Sequence, residues 1–333
     1  MKGTNGHSGR QTDFDTVRRH LSFGEKEQLC EKHFYDIRLR YGQLWHISTP
    51  GNLSETLFIE DKDFRFAVSN SAISAAESGL VIFTDEIMGN HIHTLAGGTK
   101  NQCLSYLERF AYRLEKYSAD KKRFLNLSSF RCDDPIEITS LEMMRNEIVY
   151  INRNGYLVNP SHTPFSYPWG SGSVYFNQSL HHDPGIPYRQ IPFRTKRYLC
   201  RRRIFDMPDA YRYGEGMMLP CSYALYREGE KMFRDAHQYF YLLTRNYEAY
   251  SEESHRLGDA IVLTDEEIYP VARMLSWRDY KVKQPSLLSA DSKIAVARIL
   301  HSEYHATANQ VRRVLGLSKE IVQQLFPSSE SLR

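Results

Sequence analysis

The sequence predicts an α+β protein, an antiparallel sheet with helices on one face followed by a mostly helical C-terminal region. Three observations predict it. Apolar runs of strand length alternate with stretches of helical periodicity through the first half of the chain. A segment dense in Pro, Gly, Ser and Tyr at 160–192 closes that half, and from about Leu263 onward the pattern is helical alone.

Residues 43–50, QLWHISTP, form an aromatic and β-branched run that stops at Pro50-Gly51, as a strand leaving into a loop does. From Asp61 to Ala76 the apolar residues Phe64, Phe66, Ala67, Val68, Ala72, Ile73 and Ala76 follow helical spacing, and Gly79 marks the exit. Residues 80–87, LVIFTDEI, read as a strand broken by Met88-Gly89-Asn90, and His91 to Leu95 continue as an extended stretch. A second amphipathic helix spans 99–117, with Leu104, Leu107, Phe110, Ala111 and Leu114 on one face. A strand-like segment follows at 124–131, then a helix from about Ser140 to Tyr150. The stretch 227–250 reads as one long amphipathic helix whose aromatic stripe packs in a core or between domains, with base stacking as the alternative.

Thr264-Asp-Glu-Glu is a capping-type start for the C-terminal helices. Helical patterns at 293–304 and 308–315, a Gly316-Leu317 turn, and a third at 318–326 with Ser318 as N-cap make a unit like a helix-turn-helix. Lys319, Gln323 and Gln324 are its candidates for contact with phosphates or base edges, although Arg312 stands where such units carry a small residue. The chain thus divides into a tail and helix (1–39), a first unit (40–178), a connecting region rich in aromatic and basic residues (179–262) and a helical unit (263–328).

Composition bounds the function. A chain of 333 residues, 41% hydrophobic, can bury a sizeable core. No apolar run approaches the roughly 20 residues that cross a bilayer. The polar start, MKGTNGHSGRQTDFD, reads as a loose tail and not as a secretory signal, so the expected location is the cytoplasm. Five scattered cysteines without a C-x-x-C pair point to reduced, structural thiols. The net charge of +3 is small, but Arg194, Lys196, Arg197, Arg201, Arg202 and Arg203 crowd together, and Lys121, Lys122 and Arg123 form a second cluster; each is a candidate phosphate surface or a solvated charged face.

Two pairs carry the candidate chemistry. His91 and His93 sit two apart on an extended stretch, so both imidazoles leave one face and can reach one ion. The spacing alone does not separate that reading from two polar strand residues. Tyr150 and Asn154 sit four apart and share a helical face if the helix extends that far. His46 on the first strand is a candidate neighbour of the site. Asp85 and Glu86 read as exposed strand carboxylates, with a further ligand as the alternative, and His301 and His305 share a helical face without an evident role.

Taken together, these stretches resemble the REP-associated tyrosine transposases. TDEIMGNHIHTLAG is similar to their strand and Met-Pro-Asn-His-x-His motif, EIVYINRNGYLV to their Tyr-Ile-x-x-Asn helix end, and SYPWGSGSVYF to their Tyr-x-Trp-Ser-Ser-Tyr segment. LWHISTPGN resembles the first strand and FIEDKDFRFAV the first helix, so five landmarks fall in order over residues 40–178. Gly89 replaces the usual proline, Gly155 stands where the helix end normally continues Asn-Pro, and NLSSFRC matches only loosely. The resemblance implies a ferredoxin-like catalytic domain that nicks and rejoins single-stranded DNA near palindromic hairpins. It implies Tyr150 as nucleophile and His91, His93 and Asn154 as side chains holding Mg²⁺ or Mn²⁺. The product is a 5′-phosphotyrosine link with a free 3′-hydroxyl. Since a tyrosine ionises near pH 10, about one phenol in a thousand is ionised at pH 7, so the nucleophile needs help to lose its proton. A nucleoid location follows, and monomers and homodimers are both expected states. The alternatives are a DNA-binding regulator that uses only the helix-turn-helix, and a metal hydrolase without tyrosine chemistry.

Overall fold

The computed structural model describes residues 18–49, 56–123, 125, 127, 130–132, 134–157, 162–163, 165–181, 185–201, 204–244, 265–302, 304 and 306–326. The tail at 1–17, the Pro50-Gly51 exit, Arg202, Arg203, Thr264 and His305 lie outside the described residues.

The protein is α+β, as its patterning predicts. Helix α1 (Phe23–Tyr41) starts at a capping box in which Ser22 and Glu25 satisfy each other's backbone amides. It leads into β1 (Leu44–Ser48), α2 (Asp61–Ser78), β2 (Val81–Ile87), β3 (Ile92–Gly97), α3 (Lys100–Asp120), β4 (Ile136–Glu137) and α4 (Leu141–Leu157). Gly79 ends α2 in the left-handed conformation, φ +70°, which suits glycine. The four strands form one antiparallel sheet in the order β2-β3-β1-β4, with Ser48 and Glu86 flanking His93 across the ladder.

Helices cover both faces of this sheet, not one. Strand side chains alternate in direction. Trp45, Ile47, Ile82, Ile92 and Ala96 pack with Phe66 and Ala72 of α2 and with Leu107 and Phe110 of α3. Leu44 and Leu95 pack with Met144, Ile148 and Ile151 of α4 and with Phe34 and Ile37 of α1. Strands buried on both sides lack an exposed polar face, so the polar residues of β2 and β3, Thr84, Asp85, Glu86, His93 and Thr94, are buried as well.

Of the strand expected at 124–131, residues 124, 126, 128 and 129 lie outside the described residues, and the described ones are not in a strand. The Phe130 amide donates to the Leu127 carbonyl at 3.0 Å and the Phe130 ring stacks on Phe110 at 5.3 Å; the fourth strand of the sheet is the two-residue β4 further on.

The Pro- and Gly-rich segment after α4 returns to the sheet. The Ile87 amide donates to the Trp169 carbonyl at 2.8 Å and the Ser171 amide to the Asp85 carbonyl at 2.9 Å, so the segment pairs with the outer edge of β2. Gly170 is required there, because a Cβ would collide with the Asp85 carbonyl.

Beyond it, β5 (Ile186–Pro187), β6 (Arg212–Gly214) and β7 (Met217–Met218) make a small antiparallel sheet, with α5 (Phe193–Cys200) between the first two. This region packs on the first unit: the Met218 amide donates to Ser69 Oγ of α2 at 3.0 Å, and the Leu225 amide to the Ile82 carbonyl at 2.8 Å. After the short α6 (Pro220–Tyr223), the long helix expected at 227–250 is two helices, α7 (Tyr226–Glu230) and α8 (Ala236–Thr244). Asp235 interrupts it by accepting from the Gln238 amide at 2.9 Å, an N-cap that starts a new helix. Residues 245–250 lie outside the described residues. The aromatic stripe packs internally, with Tyr239 buried against Tyr175, Phe176 and Phe233.

The last four helices are α9 (Asp265–Tyr280), α10 (Ala290–Ser302), α11 (Ala308–Leu315) and α12 (Lys319–Leu325). Gly316, φ +62°, makes the tight turn before α12, and Ser318 caps the Ile321 amide at 3.3 Å. Among the described residues no helix is long and apolar enough to cross a membrane, and Cys30, Cys103 and Cys200 are buried free thiols.

Candidate active site

The turn between β2 and β3 sets the first imidazole. The Gly89 carbonyl accepts from the amides of Leu57 and Phe58 at 2.8 and 3.0 Å, which ties the turn to the chain entering α2. His91 is the residue just before β3 and is 1% exposed. Its Nδ1 lies 2.7 Å from Asn90 Oδ1; an amide oxygen accepts, so Nδ1 donates. His93 follows on the same face of β3, with its ring centroid 4.9 Å from that of His91 and the planes at 87°.

His93 Nδ1 faces Nε2 of His46 at 3.2 Å. His46 reaches across from β1, and its Nδ1 lies 3.0 Å from Glu147 Oε2 on α4. Burial, then the neighbouring His91 and His46 imidazoles, hold His93 well below the ordinary imidazole range, so it is neutral at neutral pH.

Helix α4 supplies the rest. It runs to Leu157, about two turns past the expected end, so Glu147, Tyr150 and Asn154 share one face. The Tyr150 ring meets His93 edge-on at 5.4 Å and His46 at 5.9 Å. Asn154, one turn on, is completely buried, and Tyr150 is only 3% exposed. Gly155 has a physical reason: a Cβ there would collide with the ring of Tyr167, whose hydroxyl donates to the Ile87 carbonyl at 2.7 Å. The glycine thus lets the segment after α4 close over the end of β2.

Asp85 and Glu86 are not exposed strand carboxylates; both are buried. Asp85 points to the α2 and α3 face. It accepts from Ser71 Oγ at 2.7 Å, Ser171 Oγ at 2.9 Å and the Tyr223 hydroxyl at 3.0 Å, and burial raises its pKa. Glu86 lies on the His93 face, where burial and then the adjacent Asp85 push its pKa well above the carboxylate range, against the Gly172 amide. Segment 167–174, distant in sequence, covers both.

The side chains suited to hold a divalent ion here are the two imidazoles and the Asn154 amide. The two imidazoles are compatible with one ion: His93 is neutral, and the two rings stand nearly perpendicular with centroids within 5 Å. Among the described residues no three His, Cys, Asp or Glu side chains form a complete cage.

The basic clusters divide. Arg194 and Arg197 of α5 are exposed, and Lys196 is half-buried with its ammonium donating to the Arg189 carbonyl at 2.8 Å. Arg201 is no free phosphate contact: it pairs with Asp120 and lies over the ring of Tyr198 at 4.4 Å. In the second cluster Lys121 and Arg123 are committed to Asp63, at 2.5 and 2.9 Å. Lys319, Gln323 and Gln324 are exposed on α12, and Arg312 is half-buried. His301 serves the local fold, its Nδ1 2.8 Å from the Ala306 carbonyl oxygen.

Sequence reasoning did not single out Glu147. Its signal was present, since it lies three residues before Tyr150 and seven before Asn154, the spacing of one helical face. Comparison of the chain with family models, curated proteins and solved structures finds no match.

Proposed function

We propose that the protein nicks and rejoins single-stranded DNA through a covalent phosphotyrosine, with Tyr150 as nucleophile. The observation that carries this reading is the convergence of Tyr150 with His46 and His93, the rings edge-on at 5.9 and 5.4 Å, in a chain whose sequence resembles the single-tyrosine transposases. The strand order β2-β3-β1-β4, with α2 and α3 together on one face, supports a ferredoxin-like domain.

Tyr150 Oη forms the new bond to phosphorus, the P–O3′ bond breaks, and the departing 3′-oxygen takes up a proton. A later 3′-hydroxyl reverses the exchange, so the phosphodiester energy is kept and no nucleotide cofactor is required. A bound divalent cation supplies charge neutralisation at the phosphate. His91 and His93, with Asn154, are the residues that would hold it, and α4 keeps the phenol in register with them. The side chains meet in a closed interior, so the DNA reaches Tyr150 only when the packing around α4 opens. Exposed Arg194 and Arg197 are candidate contacts for the DNA backbone.

The test is covalent trapping. Incubation with a single-stranded hairpin oligonucleotide and Mn²⁺ yields an adduct that survives denaturation, and Tyr150→Phe loses it. An adduct undiminished in that variant overturns the reading. Exposed Lys319, Gln323 and Gln324 on a capped α12 favour a second reading, a DNA-binding regulator; reversible, salt-sensitive binding to a hairpin with no adduct in the wild type would select it.

A further inference from the structure

The C-terminal unit has an exposed surface besides that of α12, on the helix that opens it. We propose that the outward face of α9 is a stacking platform for single-stranded DNA, on which Tyr269 and Trp277 take bases and Arg273, Lys281 and Lys283 take the phosphates. The identity of the strand as DNA rests on the function proposed above; the stacking face does not.

Helical periodicity gives α9 two unlike sides. Ile268, Val271, Ala272 and Leu275 are buried in one apolar cluster with Val296 and Leu300 of α10 and Val311 and Leu315 of α11. The opposite side carries Tyr269, Arg273, Trp277 and Tyr280, spaced four, four and three apart, so they line up as one stripe. At 1.5 Å of rise per residue the stripe is about 16 Å long, enough for a few nucleotides of an extended strand. Its rings are open: Trp277 is 51% exposed and Tyr269 43%, and Met274 beside them is exposed as well.

Charge selects the occupant. Asp279 is the only acid between Ile268 and Ser289, and Arg278 engages both its oxygens, at 2.6 and 2.9 Å. Three further bases stand in that span, Arg273, Lys281 and Lys283, all exposed. Arg273 is one turn from Tyr269 and one from Trp277, and the Lys281 ammonium lies 6.0 Å from the centre of the Trp277 ring. Exposed rings alternating with cations match a polyanion whose flat faces are free, a single strand. A duplex hides its base faces within the stack and could use only the charges. Helix α12 lacks such a platform, because Phe326 at its end packs against His301 with ring centres 4.0 Å apart.

The experiment uses the full chain with EDTA, so that no strand is cut, and an oligothymidylate as probe. The wild type binds it, and tryptophan fluorescence is quenched as a base stacks on Trp277. Trp277→Ala and Tyr269→Ala each weaken binding about 5- to 150-fold. Trp277→Phe, which keeps a ring, retains more of the affinity than Trp277→Ala and loses the quenching. Arg273→Ala lowers the slope of log affinity against log salt by about 0.7. A wild type without quenching, quenching that persists in Trp277→Phe, or wild-type affinity in both alanine variants overturns the proposal. If Trp277→Ala does not fold, Tyr269→Ala and Trp277→Phe decide. Self-association lost in Trp277→Ala, with no binding of the oligonucleotide, overturns it in favour of a second copy of the chain on this face. The two proposals fail separately: quenched binding with no covalent adduct when Mn²⁺ is supplied defeats the proposed function alone, and an adduct without quenching defeats the stacking face alone.

Discussion

The two faces of the sheet both bury carboxylates near tyrosines, and the difference between them separates a structural polar centre from the candidate chemical one. On the α2 and α3 face, Asp85 takes three hydroxyl donors, from Ser71, Ser171 and Tyr223, and the Tyr106 hydroxyl bridges Ser71 and Thr94 at 3.0 Å each. These hydroxyls bind segment 167–174 and α6 to β2. On the α4 face, Glu147 addresses an imidazole that addresses a second imidazole, and both rings meet a phenol. Burial alone therefore does not mark a site. What matters is whether the buried polar groups end on one another or line up toward a place where a ligand can act.

The sharpest way to break this comparison is to remove each carboxylate. Asp85→Leu leaves three buried hydroxyls without their acceptor, and the expected loss is about 3–5 kcal/mol, read as a lowered urea midpoint. A loss as small as that of a surface substitution would show that the Asp85 centre is not what holds β2 to its covering segments. The same comparison can be made with the phenols. Tyr106→Phe should cost about 1–2 kcal/mol and leave the covalent adduct intact, while Tyr150→Phe abolishes the adduct. Loss of the adduct in a folded Tyr106→Phe protein would erase the distinction between the faces.

The faces were also unequally legible in the sequence. Hydrophobic spacing was enough for β1, β2, β3, α2 and α3, because strands and helices of ordinary length repeat their own period. The pairing of His91 with His93 and of Tyr150 with Asn154 was legible for the same reason, since both are local spacings. What spacing does not carry is a partner from far along the chain. Asp85 and Glu86 look like surface carboxylates because nothing near them shows that Gly170 and Ser171 will return to cover the edge of β2. Glu147 gains its meaning only when β1 brings His46 against α4. Charge runs mislead in the same way: Lys121 and Arg123 look like a phosphate surface until Asp63, about 60 residues earlier, accepts both. The two-residue β4 is too short to have a period at all.

Stability against pH gives the smallest expected effect and sharpens the comparison further, because the buried acids and the buried base have opposite signs. Asp85 and Glu86 have raised pKa values, so the folded protein holds protons that the unfolded chain releases. Their stabilising contribution is full below the ordinary carboxylate range, about pH 4, and is lost as pH rises through the folded values. His93 is depressed, so the unfolded chain binds the proton that the folded site refuses. Its contribution is full above the ordinary imidazole value, about 6.5, and is lost as pH falls through the folded value. Between about pH 4.5 and 6.5 the two trends oppose each other. Urea midpoints across that window should rise more steeply with pH in Glu86→Gln than in the wild type, and less steeply in His93→Gln. Each change in slope is at most about 1.4 kcal/mol per pH unit, the linkage of one proton. Parallel profiles in all three proteins would mean that neither group changes its proton on unfolding, and the electrostatic contrast between the buried acids and the buried imidazole would not hold.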